Sequence, residues 1–308
     1  MSDATAGDPL SGLLWTHKSL RKIQRALRTR GYRLSQTTIS RLLRERHYSM
    51  RVNCKRLAGK QSPGRDEQFK YIAQSRRAFL RRQAPVISVD TKKKELVGNF
   101  KQAGRQWRQS PHAVKIYDFP SQAEGQAIPY GIYDVGGNQG YVSVGVSHDT
   151  AEFAVASIRA WWTQLGRHVY VGCAELLIEA DCGGSNGNRC QKWKACLQKF
   201  ANEFRIRITV THYPTGASKW NPVEHRMFNL ISSNWAGQPL ESYETILKHL
   251  RTTRSTAGFR CKARLDKRSY ATGLKVSEEE ASQMRVRLHK VFPHWNYTIY
   301  PHAQKHNA

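Results

Sequence analysis

The period of the apolar residues changes near residue 85. Upstream, Leu20, Ile23 and Leu27 recur at three- and four-residue spacing, which predicts a helix that Gly31 stops. Tyr32-Arg33-Leu34 makes a short turn, and Ser35 can cap a second helix carrying Ile39, Leu42 and Leu43. Two short helices around a Gly-containing turn form a helix-turn-helix pattern, expected over residues 1–53. On its second helix Gln36, Thr37, Ser40, Arg41 and Arg44 could face a DNA groove. An amphipathic pair with a solvated basic face has the same pattern. Residues 54–84 are expected to form a basic helical connector, in which Arg65 to Arg82 carries Phe69, Ile72, Phe79 and Leu80 on one stripe.

Downstream, short buried runs alternate with helical patterns. Val86 to Asp90 is a buried strand, and Tyr130–Asp134 and Tyr141–Val146 flank the hairpin loop Gly136-Gly137-Asn138-Gln139-Gly140. Thr150 caps a helix running to Leu165. Leu176–Asp181 is the next strand, followed by a helix over Asn186–Phe204 and a strand over Ile206–Thr211. A loop from His212 to Lys219 leads to a helix with Asn221 as N-cap and Pro222 at its first position. This order predicts an α/β core over residues 85–235, a mixed sheet flanked by helices. Residues 236–308 are expected to be a helical extension packing on that core. Within it Tyr243–Leu250 is helical, Ser277-Glu278-Glu279-Glu280 opens a helix to about Val291, and Trp295–Tyr300 is a closing strand.

Charge adds a partner to this picture. Fifty Lys and Arg against 23 Asp and Glu give a net charge of +27. Twenty of those cations stand in the first 84 residues, against five acids. Such an excess points to nucleic acid. No run of 18 apolar residues and no secretory signal is present, so a cytoplasmic, nucleoid-associated protein without a membrane partner is expected. The six cysteines follow no zinc-finger spacing and are expected to be reduced thiols. Neither GxxxxGK[ST] nor GxGxxG occurs, which leaves nucleotide hydrolysis and dinucleotide redox chemistry without support.

Against this basic background three acids stand out. Asp90 ends the run Pro85-Val86-Ile87-Ser88-Val89, Asp181 ends Leu176-Leu177-Ile178-Glu179-Ala180, and Glu224 lies in a first helical turn. Two carboxylates at strand ends and one on a helix can converge on two divalent cations. Phosphodiester cleavage needs an attacking oxygen, a stabilised leaving oxygen and neutralised charge, which two such ions about 3.5–4 Å apart provide. Mg²⁺ takes one or two carboxylates besides substrate oxygens and water. Asp90 is then expected to bridge the ions, with Asp181 and Glu224 on either side. Each acid also has an ordinary role: Asp90 as a strand-end polar residue, Asp181 as a turn starter, Glu224 as part of a capping box. Lys92, Lys93, Lys94, Lys219 and Arg226 are candidate phosphate contacts. His225 could contact DNA ends, Asp134 could be a fourth carboxylate, and His212 is expected to be structural. Trp193 and Trp220 are candidates for base stacking or for the core.

The residues Val86-Ile-Ser-Val-Asp-Thr-Lys-Lys-Lys-Glu-Leu-Val-Gly-Asn-Phe100, Tyr130–Asp134, Gly145-Val-Ser-His-Asp-Thr-Ala-Glu-Phe153, Asp181 with Gly183–Gly187, and Ser218-Lys-Trp-Asn-Pro-Val-Glu-His-Arg-Met-Phe228 carry a resemblance. Together with Trp295–Pro301 they resemble the Rhodopirellula-type DDE transposases of bacterial insertion sequences, from about residue 15 to 301. The Asn-Pro-x-Glu element is also similar to the wider mariner-like transposases. The resemblance implies a ribonuclease-H-like domain after a helix-turn-helix and carries over Asp90, Asp181 and Glu224 as a triad for two Mg²⁺ or Mn²⁺ ions. It implies hydrolysis at element ends, 3′-hydroxyl attack on target DNA, and double-stranded DNA (terminal repeats and target) as partner of a homo-oligomer. Cys182 stands where a small residue is expected, and relatives are expected to carry further N-terminal DNA-binding helices. An inactive DNA-binding relic and a nuclease without strand transfer are the alternatives.

Overall fold

The computed structural model describes residues 5–7, 14–16, 18–50, 63–217 and 220–303, the first two stretches as backbone alone. The chain forms two units, residues 1–58 and 59–308. In the first, β1 (Thr5–Gly7) pairs antiparallel with β2 (Leu14–Thr16). Helices α1 (Leu20–Arg28) and α2 (Gln36–Glu45) follow. Ser19 caps α1 by accepting from the Lys22 N–H, and Ser35 caps α2 by accepting from the Thr38 N–H at 3.0 Å. Gly31 takes φ +85°, the left-handed turn that releases the chain from α1. Ile23 and Ile39 are the buried residues of the two helices, and Gln24 clips the turn by donating to the Leu34 carbonyl at 2.8 Å.

The second unit is built on a nine-stranded mixed sheet. Its order is β10–β11–β8–β7–β3–β5–β6–β9, with β4 (Glu95–Val97) pairing the first part of β5. The central strands are β3 (Val86–Thr91), β5 (Gly125–Asp134), β6 (Gln139–Gly145), β7 (Glu175–Ala180) and β8 (Arg207–His212). β3, β7 and β8 run parallel, and β5 runs antiparallel to β3 and β6. In chain order the five stand 3-2-1-4-5 with strand 2 reversed, the ribonuclease-H-like arrangement.

Both faces of this sheet are covered, which is why β3 is an unbroken apolar run rather than an alternating one. On one face α4 (Ala151–Trp161) and α6 (Gln191–Phe204) pack Phe153, Ile158, Leu197 and Phe200 against Ile87, Val89, Ile178 and Val210. A π-helical turn, Trp162–Gly166, and the short α5 (Arg167–Val169) extend α4. On the other face a π-helical turn (Val223–Phe228), α7 (Asn229–Asn234) and α8 (Tyr243–Thr252) cover Tyr133, Val142 and Val144. Helix α3 (Arg65–Arg81) covers Val86 and Leu177.

Three boundaries differ from the sequence-based expectation. Helix α3 is not a connector: Ile72 and Phe79 are buried, and Arg76 donates two bonds, at 2.8 and 2.6 Å, to the fully buried Glu179 of β7. Residues 236–308 are not a helical extension either. β9 (Arg260–Asp266) adds to β6 in parallel, while β11 (Asn296–Ile299) pairs with both β8 and β10 (Val286–Leu288). The helix opened by Ser277 is α9, Glu278–Ser282 alone, because the chain then returns to pair as β10.

Candidate active site

The parallel register of β3 and β7 sets the site. Val89 pairs with Ala180, so Asp90 and Asp181 are the next residues on neighbouring strands, whose spacing is about 4.8 Å. Both leave the sheet at its C-terminal edge, where an α/β sheet presents its ligands. The Asp90 carboxylate accepts from the Thr91 N–H at 2.7 Å. Asp181 accepts from the Gly183 N–H and from the Asn186 side chain, both at 3.3 Å.

Glu224 reaches the same edge from the π-helical turn, and Asn221 fixes that turn to β3. Asn221 is fully buried and donates to the Val89 carbonyl at 3.1 Å. The Ser88 hydroxyl donates to the Asn221 side-chain carbonyl and accepts from the Val223 N–H at 2.8 Å. The expected N-cap role of Asn221 is therefore corrected: its amide is occupied by the strand next to Asp90. Gly131, the cross-strand partner of Asp90, leaves the space that Met227 and Phe228 fill; a Cβ there would collide with both. A bare backbone opposite Asp90 thus lets the Glu224 segment lie against the sheet.

The electrostatics identify Asp90 as the centre. Burial, then the negative charges of Asp181, Glu224 and Asp149, push its carboxyl well above the ordinary range. Burial raises Asp181 as well, opposed by its bonds to Gly183 and Asn186. Burial raises Glu224, opposed by the Lys92 ammonium and by a hydrogen bond with Asp90. Among the described residues no three His, Cys, Asp or Glu side chains are gathered as tightly as a bound cation requires. Asp181 turns to its own loop, where it accepts from Gly183 and Asn186. The hard carboxylate oxygens of Asp90, Asp181 and Glu224 on one edge of a protein of charge +27 are nonetheless, by their chemistry, a donor set suited to divalent cations.

The other sequence candidates divide. Lys92 is not part of a solvated charge run: it pairs with Glu95 at 3.2 Å and lies 4.6 Å from the centre of the Trp235 ring. Lys93, Lys94, His225 and Arg226 are exposed, and Lys219 lies outside the described residues. Asp134 is not a fourth carboxylate of this edge. It stands at the opposite end of β5, accepting from Gly136, Gly137 and Tyr170 as the hairpin cap. Trp193 is core, and Trp220 is half exposed against Phe69. Cys182 donates to the Tyr213 carbonyl at 3.0 Å, its thiol pushed up to about 12 by burial. In the first unit Gln36, Thr37, Ser40, Arg41 and Arg44 line a surface concavity of about 470 Å³, with Arg41 paired to Glu45. Asn221, Ser88 and Gly131 went unread in the sequence as positioning residues, since burial and cross-strand register alone reveal them.

The family model described as Rhodopirellula transposase DDE domain matches residues 1–301. The chain belongs to this DDE transposase family. It is therefore an enzyme of the polynucleotidyl transferase and nuclease class. Comparison with curated proteins finds no match. Among solved structures the transposase is similar to the Mos1 transposase paired-end complex with left transposon end, at 15% identity and a TM-score of 0.42 over 79% of this chain and 71% of that one. It is also similar to the mariner Mos1 paired-end complex with Mg, at 13% identity and a TM-score of 0.45 over 80% and 73%. A third similarity is to the Mos1 strand transfer complex, at 14% identity and a TM-score of 0.43 over 75% and 64%. No helix among the described residues is long and apolar enough to cross a membrane.

Proposed function

We propose that this transposase cuts the ends of an insertion sequence and joins the freed 3′-hydroxyl to target DNA at the Asp90–Asp181–Glu224 edge. The observation that carries the reading is the β3–β7 register, which brings Asp90 and Asp181 out of adjacent parallel strands while Asn221 ties Glu224 beside them. Asp90, pressed by the other acids, would hold Mg²⁺ or Mn²⁺ together with Asp181 and Glu224. When bound, the ions neutralise the phosphate and activate the attacking and leaving oxygens.

The chain's own part is positioning and selectivity. Ser88 and Asn221 hold the Glu224 backbone, and Gly183 and Asn186 orient Asp181. A cleft of about 620 Å³, lined among others by Cys182, Asn188, Arg189, Thr215 and Trp295, begins at the residue after Asp181 and is the candidate path for a strand end, with Arg189 to meet its phosphate. The Gln36–Arg44 face of α2 serves the terminal repeats, with Lys93, Lys94, Lys219 and Arg226 contacting phosphates, and two ends joined together call for more than one protomer.

Incubation with labelled DNA carrying the inverted repeats that flank the gene, plus Mg²⁺, tests the reading. Joined products are expected, lost in Asp90→Asn, Asp181→Asn and Glu224→Gln. Nicks without joining would reduce the protein to a nuclease, and binding without nicks to a DNA-binding relic.

A further inference from the structure

Asp149 was not among the sequence candidates, yet its charge acts on both Asp90 and Asp181. It stands two residues before α4, and the Thr91 hydroxyl donates to its carboxylate at 3.2 Å. Thr91 follows Asp90 directly and pairs across the sheet with Tyr130, so the Thr91 and Tyr130 side chains share one face.

Tyr130 supplies the second observation. Its side chain is fully buried, its ring packs edge-on to Phe153 of α4 at 6.0 Å, and its hydroxyl has no hydrogen-bond partner among the described residues. The same hydroxyl lies within the fields of Asp149, Asp90 and Asp181. Leaving a buried hydroxyl unpaired is costly, so its presence in this wall points to a ligand that pairs it.

We propose that Asp149, held by Thr91, is a fourth carboxylate of the cation site, and that the Tyr130 hydroxyl is the partner for water entering with the cation. The proposal rests on the reading of Asp90, Asp181 and Glu224 as the metal centre. Asp149 comes from the helix on the face opposite Glu224, so the two close the Asp90–Asp181 pair from both sides of the sheet. Tyr130 lies across the sheet from Thr91, which holds Asp149, and a Phe there would fill the same space without the hydrogen bond.

Mn²⁺ titration of the full chain, followed by calorimetry and by the Mn²⁺-induced rise in melting temperature, tests this apart from activity. Asp149→Asn is expected to weaken Mn²⁺ binding about tenfold or more, and Tyr130→Phe to weaken it less. With EDTA both variants should melt no lower than the parent protein, because one loses repulsion and the other an unpaired hydroxyl. Asp90→Asn serves as the reference. If Asp90→Asn loses Mn²⁺ while both variants bind as the parent does, this proposal is overturned and the three-acid centre stands. If Asp90→Asn binds Mn²⁺ unchanged, or the parent binds none, both readings fall. A lower melting point of Tyr130→Phe in EDTA means the hydroxyl is already bonded within the protein, which overturns its assignment.

Discussion

The His212 ring donates from Nδ1 to the backbone carbonyl of Asp181 at 2.7 Å. Its Nε2 meets the Tyr297 hydroxyl at 3.2 Å, and that hydroxyl accepts from the Trp193 ring N–H at 3.0 Å. A buried chain from α6 through β11 and β8 therefore fixes the backbone of a candidate metal ligand. The carbonyl requires a donor at Nδ1, so the ring is neutral, with Nε2 as acceptor. Replacing His212 with Leu leaves the Asp181 carbonyl without this donor and the Tyr297 hydroxyl, still accepting from Trp193, without an acceptor for its proton. Urea unfolding is expected to show a loss of about 2–4 kcal/mol, with DNA cleavage reduced as well.

The same ring gives a pH dependence. Burial lowers His212 from 6.5 to about 4. Its folded-state value lies below its unfolded one, so the unfolded chain binds the proton first. The stability contribution is complete above pH 6.5 and is lost as pH falls toward 4. Between pH 7.5 and 5 the loss from this residue is about 2 kcal/mol, and His212→Gln, measured in EDTA, should flatten the profile over that window.

Asp90→Asn is expected to abolish cleavage and to stabilise the metal-free protein. The folded-state value of Asp90 is raised above its unfolded one, so between the two the folded chain holds a proton that the unfolded chain has lost: the cost to stability is absent below the unfolded value, grows as pH rises through the interval and is complete above the folded value. In EDTA the variant should gain about 1–3 kcal/mol near pH 9, and the gain should shrink toward pH 5. Thermal melts at both values, compared with the parent, check the sign.

Asn221→Ala and Ser88→Ala should lower strand cleavage without touching a carboxylate, because each frees the Glu224 segment from β3. Both remove bonds from one network, so their effects on stability should be non-additive by about 0.5–3 kcal/mol in a double-mutant cycle. Additive losses would mean the two side chains act separately. Gly131→Ala, which pushes Met227 and Phe228 away from the sheet, should cause the same loss of cleavage.

Arg76→Met should destabilise the protein by about 3–5 kcal/mol, since it leaves Glu179 buried without its cation. Arg76→Met combined with Glu179→Met should recover most of that loss, and chemical denaturation of both variants decides it.

The acids were legible because each of the two strands ends an apolar run on a carboxylate, and because the segments around all three resemble a family. Their convergence was not legible: it depends on the Val89–Ala180 register and on Asn221, whose Asn-Pro sequence is indistinguishable from a helix cap until its side chain is seen to be spent on the strand. Asp149 was hidden for a similar reason, since an Asp ahead of a Thr cap reads as an ordinary helix start. The β9 segment was not legible because its alternate positions Arg260, Lys262 and Arg264 are cationic, although Cys261-Lys262-Ala263-Arg264-Leu265 does alternate. Ser277 did cap a helix, accepting from the Glu280 N–H at 3.1 Å, but a cap says nothing of where a helix ends.

β11 occupies the interior of the sheet, between β8 and β10, although it comes from residues 296–299. The Asn296 amide also exchanges two hydrogen bonds with Gln68 of α3, at 2.8 and 2.7 Å. The β8 edge is therefore covered, and the Gln68 contact of α3 made, only after synthesis has passed residue 299. Nascent chains of this protein wait with an open strand edge, and a product stopped short of residue 296 keeps that edge as a template for aggregation. Truncation upstream of residue 296 is therefore expected to show itself as aggregation rather than as a partly active nuclease.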